Sequence, residues 1–301
     1  MDNGRTWILT LLAILVLGNF STFHIVAQTN PVAATAKVNG TTLFYELLGQ
    51  GDPLVLISGG GSLDRRMWDD QFQYFSRHYQ VVRYDLRGLG KSEIPREPYS
   101  PSEDLDHLLS FLNISKAHIV GLSLGARMAI DFTLAHPERV STLIAASPGI
   151  SGYGDDNQLI QSLQTLAAVA RTDGLEEALQ IVLSNPYLPQ DPEVKGKMSR
   201  ILLDNPQVFY LGFPTLALMI SPDPPALGRL AEIGIPTLVI AGSEDHESIQ
   251  GMADSLIREI PGARKVLITG ARHMVNLEQP SQFNQAVLDF LSDVTNPPEN
   301  D

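Results

Sequence analysis

The chain contains no cysteine. That one absence removes disulfide staples, thiol nucleophiles and cysteine-based metal sites together. Positive charge is also scarce, with 21 Lys and Arg against 34 Asp and Glu and a formal net charge of −13. A surface of that sign repels nucleic acid and anionic lipid, so neither is expected as a partner. No internal repeat is evident, and low complexity is confined to the tail, residues 296–301, which is expected to fray. What remains is an ordinary globular balance, 44% hydrophobic and 18% charged, in 301 residues. One large α/β domain or two small ones fit that length.

The amino-terminal stretch differs from the rest. Trp7 to Gly18 (WILTLLAILVLG) is apolar, follows Arg5, and is short for a bilayer span but suited to the central region of a secretory signal peptide. Residues 1–27 are therefore read as a signal peptide. Cleavage after Ala27, with Ile25 two positions before it, would leave Gln28 as the new terminus, and retention would leave an N-terminal anchor. In either case the body of the protein is expected outside the cytoplasm, periplasmic or secreted.

From Ala36 onward, strand-like and helix-like segments alternate. Val38-Asn39-Gly40-Thr41 reads as a hairpin turn leading into a strand from Thr42 to Leu48. Further strands are expected at Pro53 to Ile57, Gln80 to Asp85, Ala117 to Val120, Val140 to Ala146, Pro236 to Ala241 and Arg264 to Ile268. They are short and apolar along their length, as strands covered on both faces should be. Amphipathic stretches at Met67 to Arg77, Pro101 to Asn113, Leu124 to Ala135, Ser248 to Ile260 and Pro280 to Ser292 predict helices between them. The alternation implies a mostly parallel sheet with helices on both faces. The long interval between Ala146 and Pro236 breaks the rhythm. It predicts helices at Asn157 to Arg171, Gly174 to Ser184, Val194 to Leu203 and Val208 to Ile220, and no strand. An insertion after a strand's carboxyl end is placed to roof the ligand crevice of such a sheet. The expected layout is a core in residues 36–147 and 226–295, with a helical cap in residues 148–225. Tyr187, Phe209, Tyr210, Phe213, Leu216 and Met219 give this cap an apolar character. Side chains at that spacing more often pack inside a cap than touch a substrate.

One five-residue pattern carries chemistry. GLSLG places Gly121, Ser123 and Gly125 between an expected strand and an expected helix. The pattern alone is weak, but this context gives it a mechanism. Small flanking residues permit a turn tight enough to expose the serine hydroxyl, and the helix amides point at the same place. A serine nucleophile needs a base, and the base needs an orienting acid. His78, His107, His118 and His136 lie in regular segments where a solvated or core histidine is the usual reading, and His24 lies in the leader. His246 and His273 remain. His273 sits just past the last expected strand, where such a sheet gathers its reactive side chains. Asp245, after the penultimate strand, is the better candidate acid, with Glu244 as its rival. The chain order serine, acid, histidine fits this architecture. The GLGKS fragment, Gly88 to Ser92, does not make a phosphate-binding loop, because Asp85 stands where such a loop needs its first glycine.

From about Val38 to Leu291 the chain resembles the α/β-hydrolase superfamily, in particular its capped esterase, enol-lactonase and C–C-hydrolase branch. The likeness rests on SGGGSLDRRMWDDQ, RYDLRGLGKS, GLSLG and GARHMVNLEQPSQF, together with Gly242-x-x-Asp245. It implies an eight-stranded, mostly parallel sheet with a helical cap. It also implies Ser123 as nucleophile, Asp245 as acid and His273 as base. The oxyanion hole would be the amides of Leu124 and Gly60. Ser58 departs from the pattern, since relatives usually carry histidine there, and this puts the rigidity of the glycine loop in question. Ser123 itself excludes the aspartate-nucleophile members of the fold. The implied activity is hydrolysis of a small-molecule ester or lactone without metal or organic cofactor. C–C or thioester hydrolysis on the same residues, and a ligand-binding module that has lost turnover, are the alternatives.

Overall fold

A computed structural model describes residues 30–59, 62–154 and 156–295. The leader, Gly60 and the tail lie outside the described residues. Eight strands form one sheet: β1 Val32–Val38, β2 Thr41–Leu48, β3 Pro53–Ile57, β4 Gln80–Tyr84, β5 Ala117–Leu122, β6 Val140–Ala146, β7 Thr237–Gly242 and β8 Arg264–Ile268. Their spatial order is β1-β2-β4-β3-β5-β6-β7-β8. β2 is antiparallel to both of its neighbours, and every pairing from β4 across to β8 is parallel. β1 begins at Val32, earlier than the sequence suggests. The turn that closes the first hairpin is Asn39-Gly40, both at positive φ (45° and 70°), with Val38 facing Thr41.

The chain runs outward from β3 to β4 and then returns to the other side of β3 as β5. That reversal opens a crevice at the carboxyl ends of β3 and β5, where an open α/β sheet binds its ligand. Burial follows position. β5 and β7 are buried at every residue, whereas β8 is an edge strand with Arg264, Lys265 and Leu267 exposed. The expectation that all strands are covered on both faces therefore fails at β8, which has a neighbour on one side only.

Helices α1 (Asp69–Phe75), α2 (Pro101–Phe111) and α3 (Leu124–Ala135) lie in the first half of the chain. Between β6 and β7 come α4 (Asp156–Thr172), α5 (Leu175–Leu183), α6 (Pro192–Leu203), α7 (Pro206–Tyr210) and α8 (Pro214–Ala217). α9 (Glu247–Glu259), α10 (Val275–Glu278) and α11 (Pro280–Thr295) complete the described residues. The expected single helix from Val208 to Ile220 is broken. Phe213 adopts φ 56°, and Pro214 begins a new helix because its ring cannot continue the old one. Phe209 and Phe213 are buried with ring centroids 5.4 Å apart, so they pack the interior of the insertion. Tyr187 and Tyr210 are exposed. Phe209→Ala should cost about 3–5 kcal/mol, as large aromatic truncations in packed cores do. Urea unfolding measures this, and a loss below about 1 kcal/mol would mean the insertion packs more loosely than described.

Candidate active site

Ser123 is the whole connection between β5 and α3: the strand ends at Leu122 and the helix begins at Leu124. A one-residue turn forces an unusual backbone, φ 56° and ψ −113°, which costs about 1–3 kcal/mol unless its surroundings impose it. They do. The Ser123 amide donates to the Ala146 carbonyl at 2.9 Å, and the Ser123 carbonyl accepts from Arg127 (3.0 Å) and Gly149 (3.1 Å). The two glycines of the motif are set by close approach. A Cβ at Gly121 would run into the Gly125 carbonyl, and one at Gly125 would meet the carbonyls of Ile57 and Ser58. The sequence pattern is thus the imprint of α3 pressed against the end of β3.

Two further strand ends bring side chains to this serine. His273, in the loop after β8, places Nε2 2.9 Å from Ser123 Oγ. Its Nδ1 lies 3.0 Å from Asp245 Oδ2 and 3.2 Å from Oδ1. An ionised carboxylate can only accept, so the proton sits on Nδ1 and Nε2 keeps a lone pair for the serine hydroxyl. Asp245 has a side chain only 1% exposed, and its Oδ1 also accepts the His246 amide at 2.8 Å. Gly242 lets the β7 end and the histidine loop touch, since a Cβ there would strike the carbonyls of Ala271 and Arg272.

Glu244 points elsewhere. Its carboxylate is 48% exposed and pairs with Arg272 at 2.7 Å. Arg272 also meets Glu278, whose carboxyl burial pushes upward and Arg272 partly restores. Four other histidines among the described residues bond elsewhere. His246 uses Nδ1 to accept the Ser248 amide at the start of α9. His118 pairs with Thr142 inside the sheet, and His107 and His136 both lie against Glu103.

Leu124 is the first residue of α3, and a helix's first amides have no carbonyl one turn back to bond. Its N–H is therefore available beside Ser123. Gly60 lies outside the described residues. Its neighbour Gly59 packs against the Leu122 carbonyl and donates its amide to Met67 Sδ at 3.2 Å. The structure adds one contact that no side-chain pattern could announce: the His273 amide donates to the Tyr187 carbonyl at 3.0 Å. The insertion therefore touches the histidine loop through its backbone. GLGKS is a turn that folds back on Asp85, whose buried carboxylate accepts the Lys91 amide at 2.9 Å.

Gly242→Ala should lower unfolding stability by about 1–3 kcal/mol, because backbone oxygens must move to admit the methyl group. Gly228→Ala, where a Cβ meets nothing within 4 Å, is the matched control and should change little. Equal midpoints for the two variants in denaturant would contradict the close contact at Gly242.

Residues 54–286 match the model of the Alpha/beta hydrolase family. The chain is 30% identical over 261 residues to 3-oxoadipate enol-lactonase 2 of Acinetobacter baylyi, covering 84% of this chain and 94% of that protein. It is 27% identical to the 2-hydroxy-6-oxononadienedioate/2-hydroxy-6-oxononatrienedioate hydrolase of Comamonas testosteroni, over 81% of this chain and 89% of the relative. Among solved structures, a hydrolase from Pseudomonas aeruginosa PA01 superposes with a TM-score of 0.72 at 30% identity, covering 87% and 98% of the two chains. The enol-lactonase from Burkholderia xenovorans LB400 gives 0.71 at 28%, covering 86% and 100%. With the sheet order and the strand-end site already in place, these likenesses make the chain a member of the alpha/beta hydrolase family.

Proposed function

We propose that the protein is a serine hydrolase that cleaves carboxylic esters or lactones of small to medium, largely apolar substrates through an acyl-enzyme. The observation that carries this is the unbroken relay from Ser123 Oγ through the His273 ring to the buried Asp245 carboxylate. In the first step Ser123 Oγ attacks the acyl carbonyl carbon while His273 Nε2 takes the hydroxyl proton. Asp245 holds the Nδ1–H tautomer and stabilises the imidazolium. The carbonyl oxygen becomes an oxyanion and accepts hydrogen bonds from the amides of Leu124 and Gly60. Collapse of this intermediate breaks the acyl–oxygen bond, and His273 returns the proton to the departing alkoxide. In a lactone that alkoxide stays tethered to the acyl group. Water then repeats the sequence, releasing the acid and restoring Ser123. A lactone or ester substrate is supported by the enol-lactonase relatives, and the insertion is proposed as the cap over the site.

Two variants at adjacent positions test the reading. Asp245→Asn forces the wrong tautomer and should lower kcat by roughly 10⁴-fold with little change in binding. Glu244→Gln removes only an exposed ion pair, worth about 1 kcal/mol or less, and should stay within a few-fold of the parent. Steady-state kinetics on a short-chain ester separates them; the reverse pattern would move the acid to Glu244, and equal mild losses would overturn the relay. Ser123→Ala should abolish hydrolysis and fluorophosphonate labelling alike.

Export is proposed on the Trp7 to Gly18 run and Ala27. Mass spectrometry of the exported protein should find Gln28 at the amino terminus, and a cytoplasmic protein that retains Met1 would contradict it.

A further inference from the structure

His246, the second histidine that sequence position leaves open, stands next to the buried acid and against the insertion. Its amide donates to Asp245 Oδ1 at 2.8 Å. Its ring packs edge to face with that of Tyr187, the centroids 4.6 Å apart and the planes at 82°. Tyr187 lies in the loop between α5 and α6, and the carbonyl of this same residue accepts the His273 amide at 3.0 Å. One residue of the insertion therefore holds the base through its backbone and rests its side chain on the neighbour of the acid.

These contacts fix what the ring bonds leave open. Hydrogen bonds at both nitrogens orient the His273 imidazole between Asp245 and Ser123, but the ring reaches both only if its backbone stands in the right place. That backbone belongs to a loop, and two successive amides pin it. The Arg272 amide donates to Glu278 Oε2 at 2.6 Å, and the His273 amide donates to Tyr187. The peptide planes on either side of Arg272 are thereby set, and with them the point from which the imidazole departs. On the acid side, His246 opens α9, where its Nδ1 accepts the Ser248 amide at 3.1 Å. The imidazole is thus a fixed surface for the Tyr187 ring.

The loop that carries Tyr187 is itself tied. Asn185 Oδ1 accepts the Tyr187 amide at 2.9 Å, and the Asn185 carbonyl accepts Gln190 Nε2 at 3.1 Å. Lys195 Nζ, from α6, donates to Gln190 Oε1 at 2.9 Å. Tyr187 is 41% exposed, so its ring does not pack the interior of the insertion. Tyr210, 44% exposed, makes the useful contrast: its carbonyl accepts Arg171 Nε at 3.1 Å, within the insertion.

We propose that Tyr187 is a positioning residue for the Asp245–His273 pair. Its ring, seated on His246, holds the loop where its carbonyl keeps His273 within hydrogen-bond distance of both Asp245 and Ser123. The insertion thereby takes part in assembling the relay. This role rests on the serine-hydrolase reading given above.

Tyr187→Ala removes the ring and leaves the carbonyl, whereas Tyr187→Phe keeps the ring. His246→Asn removes the imidazole but retains a side-chain acceptor at the start of α9. Tyr210→Ala is the matched control. The full chain, these variants and the Tyr187→Ala/His246→Asn double variant are compared by kcat and KM on a short-chain ester and by urea unfolding. Proton NMR adds the downfield N–H resonance of an imidazole bonded to a carboxylate, assigned by its loss in Asp245→Asn.

Tyr187→Ala is expected to lower kcat by about 10- to 100-fold, the scale of a misplaced reacting group, with KM within about threefold. Tyr187→Phe and Tyr210→Ala should stay within about twofold of the parent, as surface substitutions do. His246→Asn should match Tyr187→Ala, and the double variant should lose no more than either alone, because both break one contact. The downfield resonance should shift or broaden in Tyr187→Ala and hold in Tyr210→Ala, with similar unfolding midpoints for the two. An unchanged kcat and resonance in Tyr187→Ala overturns the positioning role. So do losses that add in the double variant, or a raised KM with kcat unchanged, which would make Tyr187 a substrate contact. A parent that shows the resonance but neither hydrolyses esters nor takes a fluorophosphonate label overturns the hydrolase reading instead, and the resonance in Tyr187→Ala then decides the positioning role.

Discussion

The backbone contact between α3 and the end of β3 is the constraint on which the site depends. Gly125 lies so close to the Ile57 and Ser58 carbonyls that no side chain fits between them, and Gly121 is packed as tightly against Gly125. This contact leaves a single residue to turn the chain from β5 into α3, and that residue takes positive φ. The same contact brings the β3 loop alongside the serine, so candidate nucleophile and candidate oxyanion loop are set by one packing event. The strain at Ser123 is held by hydrogen bonds to β6, to Gly149 and to Arg127 in α3.

Around this contact, neighbouring loops divide the work by burial. After β7, Glu244 and Asp245 are adjacent in sequence but opposite in environment. The first is solvated and neutralised by Arg272; the second is enclosed and faces the imidazole. Charge elsewhere near the glycine loop is likewise paired. Arg65 bonds the buried Asp85, and Arg83 bridges Glu46 and Asp69. The acidic surface and the paired interior leave the site itself with one carboxylate engaged by one histidine.

Much of this was legible in the sequence because the relevant signals are local. Alternating apolar runs located the strands to within a few residues, and the bounds expected for α3 match those observed. Gly-x-Ser-x-Gly was readable because close packing leaves glycine as its trace. The Asn39-Gly40 turn was readable for a similar reason, positive φ at both positions. The failures share a cause as well. The edge position of β8 depends on strand order, which composition does not encode. The break at Phe213 is signalled by Pro214, but the apolar periodicity of Val208 to Ile220 runs through it and masks the signal. Long-range ties such as Tyr187 to His273, or Asn205 to Asp64, join residues far apart in sequence and leave no spacing to detect.

The central claim is covalent catalysis at Ser123, and rapid-quench mass spectrometry during turnover of an activated ester tests it most directly. Acid quenching in the first turnovers, followed by peptide mapping, should recover the substrate's acyl group on the peptide that contains Ser123. The amount should approach one acyl group per active protein, and the adduct should disappear as the substrate is consumed. Rapid turnover with no adduct on that peptide, or with the acyl group on a different residue, would contradict the account.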